Sequence, residues 1–434
     1  MNSVDRDILK IAIPSIVTNI TVPLLGLVDL TIVGHIGNAA YLGAIAVGSM
    51  IFNVMYWLFG FLRMGTSGMT SQALGKRDMP LVVLLIGRAL FMALVIALLL
   101  IIGQKLVLWL SLYLISPDAS VSVFAKKYFS ICIWGAPAML SLYCLTGWFI
   151  GMQNTRIPLF VSIFQNVVNI LVSLTLVIGF GMKIEGVAIG TLTAQYAGVG
   201  LSLFIGIKSY GRLLKYFSFI NFFDKKELYG FFNVNKDIFI RTLFLVSVNF
   251  FFLSIGARHG TVVLAANTLL MTFYTLFSYI EDGFAYAGEA LCGKSYGAKN
   301  RALFTVTVKH LFIWGGAMAL FFTISYMLGG KGILQLLTNQ PAVVDEAVKY
   351  IPWAMFIPLV SVSAFILDGI FIGTTATRGM LISSVLSSLL FFLTYYLSDG
   401  LMGNHGLWMA FLIYLLTRGA IQFVLFPKYV KWTN

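Results

Sequence analysis

The residues with the clearest chemistry in this sequence are carboxylates that lie inside long apolar stretches. The first, Asp29, lies near the end of the stretch from Pro14 to Gly37, with Leu, Val and Ile on both sides. A charged group at such a depth in a bilayer costs about 2.5–3.5 kcal/mol on insertion scales, so these residues commonly bind protons or ions. Asp29 is therefore predicted to couple to a proton or a small cation, although it could instead cap a backbone amide and only help packing.

Amide and hydroxyl side chains on two later apolar stretches could complete a site with Asp29. Asn166, Asn169 and Ser173 recur at three- and four-residue spacing, so they share one face of a predicted helix. The next predicted helix supplies Thr191. These oxygens could share a proton with Asp29 or bind a small cation, or they could only link helices, as Asn and Thr commonly do in membranes.

A second group of carboxylates lies in the other half of the chain. Asp282 and Glu289 are seven residues apart and so lie on one helix face, with Glu281 beside them, and Asp368 follows in a later stretch. These acids would suit an organic cation, which aromatic rings could also bind through cation–π contacts, although rings in membranes often mark the interface. The rings in the first of these stretches are Phe273, Tyr274, Phe277, Tyr279, Phe284 and Tyr286.

An apparent hydrolase motif, Gly65-Thr-Ser67-Gly68, follows Arg63 in another apolar stretch. A serine nucleophile needs a histidine within hydrogen-bond reach, and small residues for close helix packing explain the motif better. We therefore predict no catalytic residue. Arg63 needs a carboxylate or several carbonyls around it, so it is predicted to face the bundle interior in a structural or gating role. The four histidines fall in predicted loops or near a helix start: His35, His259, His310 and His405.

Composition excludes several classes of protein. Of the 434 residues, 59% are hydrophobic and 10% are charged, against about 25% charged in soluble domains. The net charge of +13 comes from basic residues in short loops between apolar stretches. Such loops set the orientation of membrane helices, so the charge does not indicate nucleic-acid binding. The three cysteines lie far apart in apolar segments, so neither a disulfide framework nor a metal site is predicted.

The apolar runs predict an all-α polytopic membrane protein with twelve transmembrane helices. The loops richer in Lys and Arg include both ends of the sequence, which are therefore predicted to be cytoplasmic. Only about ten residues, among them Asp5 and Asp7, precede the first span, so no signal peptide is expected. The predicted spans are 8–34, 42–72, 80–104, 124–150, 157–180, 186–208, 236–257, 262–292, 302–328, 346–372, 379–398 and 406–427.

The two halves of the chain are repeats. The run Gly147–Arg156 reappears as Gly369–Arg378, at an offset of 222 residues. Six helices in each copy predict parallel repeats, an arrangement typical of alternating-access transporters with the substrate path between two lobes. The predicted organisation is an N-terminal lobe at 1–207, a cytoplasmic basic linker at 208–235 and a C-terminal lobe at 236–434. An old duplication in a protein that transports nothing is the alternative.

Pro14 and Pro23 interrupt the first predicted helix, the one that carries Asp29. Each proline removes a backbone hydrogen bond and tends to bend a helix. A bendable membrane helix with one titratable group is a plausible gating element, which is the role predicted for these prolines.

Three runs together resemble the multidrug and toxic compound extrusion (MATE) family, and within it the DNA-damage-inducible F (DinF) branch. They are Leu27–Gly37, Phe61–Gly75 and Asp282–Gly293, and Asp368–Gly373 fits the same branch. The resemblance implies a two-lobed, twelve-helix exporter that exchanges H⁺ or Na⁺ for organic, often cationic or lipophilic, compounds. It also implies that Asp29 is the coupling residue and that Asn166 and Asn169 are its polar partners.

The sequence departs from that branch at Ser173, where the branch often has a second acid. Asp29 is then the lone acid of the first lobe, which favours H⁺ there, while the acids of the second lobe keep Na⁺ possible. We expect a monomeric exporter of the bacterial inner membrane that needs no organic cofactor and has small organic compounds, a coupling cation and lipid as partners. The alternative is a flippase for lipid-linked sugars of the same superfamily, which would want a large cationic cavity.

Overall fold

A computed structural model of the chain describes residues 3–34 and 39–432. Within these residues the secondary structure is helical, and no strand occurs. Twelve of the described helices, some of them interrupted by a turn, are long and apolar enough to cross a bilayer. The prediction of an all-α protein with twelve membrane-spanning helices is therefore confirmed.

The chain divides into two compact units. The N-terminal unit is Val17–Tyr229, and the C-terminal unit combines Gly230–Asn434 with Met1–Ile16. The first helix, α1, is Ser3–Gly34 and contributes to both units. The other helices of the N-terminal unit are α2 Ala39–Leu58, α3 Phe61–Gly75, α4 Met79–Ile102, α5 Gln104–Ile115, α6 Ala119–Cys132, α7 Ala136–Gly151, α8 Arg156–Leu174, α9 Ile184–Tyr210 and α10 Phe219–Phe222. Short 3₁₀ turns lie at Ile133–Gly135 and Gly211–Tyr216, and a π turn lies at Thr175–Gly179.

The C-terminal unit has a core rich in aromatic side chains. Phe252 packs edge-on against Trp408, and Phe273 stacks on Tyr326, all of them buried. Its helices are α11 Lys225–Arg258, of which the residues up to Tyr229 belong to the N-terminal unit, α12 Thr261–Gly297, α13 Arg301–Leu337, α14 Pro341–Val348, α15 Ile351–Ala354, α16 Ile357–Gly373, α17 Thr377–Met402 and α18 Asn404–Tyr429.

The repeated glycines have the same role in both units. A Cβ atom at Gly147 would overlap the carbonyl oxygen of Arg63, so α7 lies backbone to backbone on α3. At the equivalent position, a Cβ atom at Gly369 would overlap the carbonyl oxygen of Ala285, which brings α16 equally close to α12. The Ser67 carbonyl lies against Gly151 in the same way, so the apparent hydrolase motif belongs to a tight helix contact.

One domain boundary differs from the prediction of a first lobe at 1–207, because the N-terminal part of α1 packs within the C-terminal unit. Asp5 Oδ1 lies 2.7 Å from Nδ1 of His310 and accepts a hydrogen bond of 3.0 Å from Nε1 of Trp314, both on α13. Gly283 of α12 has no side chain, which lets Ile16 of α1 pack directly against it. The other boundary, between Tyr229 and Gly230, lies inside the segment predicted as the linker.

Helix α1 continues through both prolines as a single helix, in agreement with the single span predicted at 8–34. A proline lacks the N–H that would bond the carbonyl four residues earlier, which weakens a helix locally without ending it. The change of unit between Ile16 and Val17 falls within one turn after Pro14. The gating role of Pro14 and Pro23 remains a proposal.

Candidate functional site

Asp29 is buried inside the N-terminal unit, where 2% of its surface is exposed. Its Oδ2 atom accepts a hydrogen bond of 2.8 Å from the Thr191 hydroxyl of α9. Its Oδ1 atom is also buried and has no hydrogen-bond partner among the described residues. The carboxyl group thus has one satisfied oxygen and one that could accept a further donor or a cation.

Asn169 joins this arrangement from α8. Its Nδ2 atom donates a hydrogen bond of 3.1 Å to Thr191 Oγ1, so a chain of hydrogen bonds runs from Asn169 through Thr191 to Asp29. Asn169 Oδ1 is a second buried acceptor that has no partner in the described part of the chain. Three of the four residues predicted for coupling therefore come together on α1, α8 and α9.

Asn166, the fourth residue, contacts a different level of α1. Its Nδ2 atom donates to the carbonyls of Ser162, at 2.9 Å, and Thr21, at 3.3 Å. Thr21 is eight residues before Asp29, or about 12 Å along a helix. Asn166 therefore links α8 to α1 next to Pro23 and does not form the predicted contact with the carboxyl group in this structure.

Ser173 lies one turn beyond Asn169 and is fully buried against α9. Its neighbour there is Gly190, because a Cβ atom at position 190 would overlap Ser173 Oγ. The sequence analysis did not identify Gly190. Its position directly before Thr191 was the only indication that it could lie near the site. Ser173 Oγ has no hydrogen-bond partner among the described residues, so unsatisfied oxygens on α1 and α8 include those of Asp29, Asn169 and Ser173. The oxygens of Asp29 and Asn169 can only accept while Asp29 is ionised, and two buried acceptors without a donor suit a proton or a small cation.

The acids of the C-terminal unit are arranged differently from the prediction. Asp368 of α16 pairs with Arg241 of α11 and, at 3.5 Å, with Arg418 of α18, and its Oδ1 accepts a 2.5 Å hydrogen bond from Gln422. Asp368 is thus neutralised by two buried arginines and is not the free acid that was predicted to attract an organic cation. Asp282 and Glu289 lie on α12, where Asp282 is half-buried and Glu289 is buried.

The prediction that aromatic rings on α12 bind an organic cation also changes for the three phenylalanines. Phe273, Phe277 and Phe284 are buried in the protein, where Phe273 and Phe277 belong to the hydrophobic core. The Arg418 guanidinium lies 5.6 Å from the ring centre of Phe365 and 5.9 Å from that of Tyr414, neither of which is on α12. Packing thus occupies the three phenylalanines and charge pairing occupies Asp368, whereas a role of Asp282 and Glu289 in binding a substrate cation stays a prediction.

Arg241 and Arg418 were missed by the sequence reasoning, although a signal existed. Both lie inside apolar stretches, and the same rule that singled out Arg63 applies to them. Arg63 itself is largely buried in α3, and its structural or gating role stays a prediction. Among the described residues, no group of three or more His, Cys, Asp or Glu side chains is placed to bind a metal ion.

Comparison with known proteins agrees with this architecture. The MatE family matches residues 14–175 and 238–397. DNA damage-inducible protein F of Escherichia coli (strain K12) is 33% identical over 438 aligned positions, which cover 100% of this chain and 94% of that protein. The resemblance to the DinF branch is thereby confirmed.

Solved structures show the same fold. The bent form of the Vibrio cholerae MATE transporter VcmN has a TM-score of 0.87 at 17% identity, covering 99% of this chain and 97% of that one. A MATE structure described as the straight conformation has a TM-score of 0.86 at 18% identity, covering 99% and 96%. The match to the MatE family and to DNA damage-inducible protein F favours export over the flippase alternative. The chain therefore belongs to the MatE family of multi-pass membrane transporters, which export toxic and multidrug compounds, need no organic cofactor and are not enzymes.

Proposed function

We propose that this protein is a cation-coupled antiporter that exports organic, often cationic or lipophilic, compounds across the bacterial inner membrane by alternating access. The observation that carries the proposal is Asp29, a buried intramembrane carboxyl group with one oxygen open to a proton or cation. The protein acts as a monomer. Both ends of the sequence lie in the cytoplasm, because the loops on their side of the membrane are the richer in Lys and Arg.

The chemistry of the site favours H⁺ over Na⁺ as the coupling ion. An ionised carboxylate only accepts hydrogen bonds, whereas a protonated one also donates. A proton on Asp29 would supply the donor that Asn169 Oδ1 lacks in the structure. Ser173 provides no second negative charge, which a bound Na⁺ would need more than a proton does.

Proteoliposomes that contain the purified protein and a fluorescent cationic dye test both the activity and the ion. We expect an imposed pH gradient to drive dye movement with no Na⁺ present. A Na⁺ gradient at equal pH on both sides should drive little. Transport driven by Na⁺ alone would contradict proton coupling, and transport driven by neither gradient would contradict antiport. Protein-free liposomes under the same gradients provide the background.

Protonation must also change the conformation if it is to drive transport, since an ion shifts an equilibrium only by binding one state better. The part of α1 that contains Pro23 contacts α8 through the hydrogen bond from Asn166 to Thr21. The proposal is that low pH bends this part of α1 towards α8 and α9 and so expels substrate from the N-terminal unit. Pro14 and Pro23 would permit the bend.

Spin labels at Leu24 of α1 and Val167 of α8, both exposed positions, should report this motion. We expect the distance between the labels to shorten when the pH is lowered, and to stay constant with pH in Asp29→Asn. A control pair at Val167 and Leu203, on α8 and α9, should not respond. The bend would be excluded if the first pair did not respond to pH, or responded equally in Asp29→Asn.

A further inference from the structure

Glu281 is a carboxyl group in the C-terminal unit that the proposed coupling site does not use. It lies near the middle of α12, sixteen residues before the end of the helix at Gly297, or about 24 Å along the axis. None of its surface is exposed. Both of its side-chain oxygens are buried and have no hydrogen-bond partner within the described residues.

The surroundings of this carboxyl group are apolar. A Cβ atom at Gly315 of α13 would lie 3.0 Å from Glu281 Oε2, 2.5 Å from Ile366 Cδ1 and 3.2 Å from Val362 Cγ2. Glu281 therefore occupies the space that a glycine leaves open where α12, α13 and α16 meet, beside the methyl groups of two aliphatic residues. Water does not contact Glu281 in this conformation, because none of its surface is exposed.

Glu281 forms no ion pair with any residue that the structure describes, and burial and the neighbouring Asp282 both act against a negative charge on it. On α13, His310 is engaged with Asp5 of α1, and on α16 Asp368 is engaged with two arginines. An ion pair therefore does not compensate the burial of Glu281.

An ionised carboxylate without a partner is strongly disfavoured in such a place, and a neutral carboxylic acid is tolerated far better. We propose that Glu281 is a second proton-binding site, neutral in this conformation and able to release its proton when movement of α13 or α16 admits water. The use of this proton in transport rests on the proposed antiport, whereas its presence on Glu281 does not.

Infrared spectroscopy of the purified protein in lipid nanodiscs tests the protonation directly, without any transport. The experiment uses Asp29→Asn as the background, so that Asp29 contributes no acid signal. At neutral pH we expect the C=O stretching band of a protonated carboxylic acid, and loss of that band in Asp29→Asn/Glu281→Gln. If Glu281→Gln does not fold, the spectrum of Asp29→Asn alone still tests the proposal. The absence of an acid band from that spectrum would overturn it.

Glu346→Gln is the matched control. The Lys349 ammonium donates a 2.6 Å hydrogen bond to Glu346 and lowers the pKa of that carboxyl group, so Glu346 is ionised at neutral pH. Its substitution should reduce the carboxylate bands and leave the acid band unchanged. An acid band that persists in Glu281→Gln would assign the proton to another residue and overturn the proposal.

The second measurement is the number of protons exchanged for each dye molecule, obtained in proteoliposomes from the pH gradient that just balances a dye gradient. We expect Glu281→Gln to lower this ratio by one proton. An unchanged ratio, with the acid band of Glu281 demonstrated, would show that the proton is held but never exchanged. If the wild-type protein did not transport at all, the proposed function would fail while the infrared result stood by itself.

Discussion

Asp29→Asn should reduce ion-driven dye efflux to the level of protein-free liposomes while the protein still folds and inserts. Asparagine keeps the size of the side chain and an oxygen that can accept the hydrogen bond from Thr191. It cannot take up or release a proton, so an efflux cycle that requires titration at this position stops. The measurements are dye efflux under a pH gradient and the drug resistance of cells that produce the variant.

Asp118→Asn makes the same chemical change at an exposed position of the same unit, just before α6. It should retain wild-type efflux, which separates loss of the Asp29 carboxyl group from any general effect of removing a negative charge. Wild-type resistance in Asp29→Asn, at equal amounts of protein in the membrane, would refute the central role of Asp29.

Two of the polar partners of Asp29 could be predicted from the sequence because the cost of polar groups in a bilayer restricts where they point. Thr191 of α9 is buried and donates to Asp29, and Asn169, on the face of α8 that its periodicity indicated, donates to Thr191. Asn166 lies on the same face of α8 but three residues earlier, or about 4.5 Å along the axis. Its amide donates to the carbonyl of Thr21, about 12 Å from Asp29 along α1. Helical periodicity alone does not determine the level at which two helices meet.

The pairing of charges could not be predicted in the same way. Asp368 is 127 residues from Arg241 and 50 from Arg418, and only the packing of α11, α16 and α18 brings the three together. The division of α1 has a similar origin. Hydropathy identifies a single apolar helix, whereas contacts of Asp5 and Ile16 with α12 and α13 decide that its first turns belong to the C-terminal unit.

This pairing changes what Asp368→Asn is expected to do. The sequence suggested a free acid, whose loss would weaken export of cationic substrates more than of neutral ones. In the structure the substitution would remove the negative charge between two buried arginines. Removing one partner of a buried ion pair destabilises a protein by roughly 3–5 kcal/mol, because the remaining charge is left uncompensated. We therefore expect a clear fall in the melting temperature of the purified protein in detergent.

Asp237→Asn is the control, because it removes the partner of an exposed arginine, whereas Asp368→Asn removes the partner of two buried ones. Asp237 also lies opposite an arginine, with its Oδ1 3.6 Å from Arg378, but 61% of the Arg378 side chain is exposed. Asp237 is itself buried, but the arginine that remains after Asp237→Asn is exposed and solvated, so the cost should approach the roughly 0–1 kcal/mol of an exposed ion pair. The melting temperature should therefore change little in Asp237→Asn and much more in Asp368→Asn.

Equal melting temperatures for Asp368→Asn and the wild-type protein, together with selective loss of cationic substrates, would restore the original hypothesis that Asp368 binds substrate. A large fall in stability with losses that do not depend on substrate charge would instead establish Asp368 as the anion that permits two arginines to lie inside the C-terminal unit.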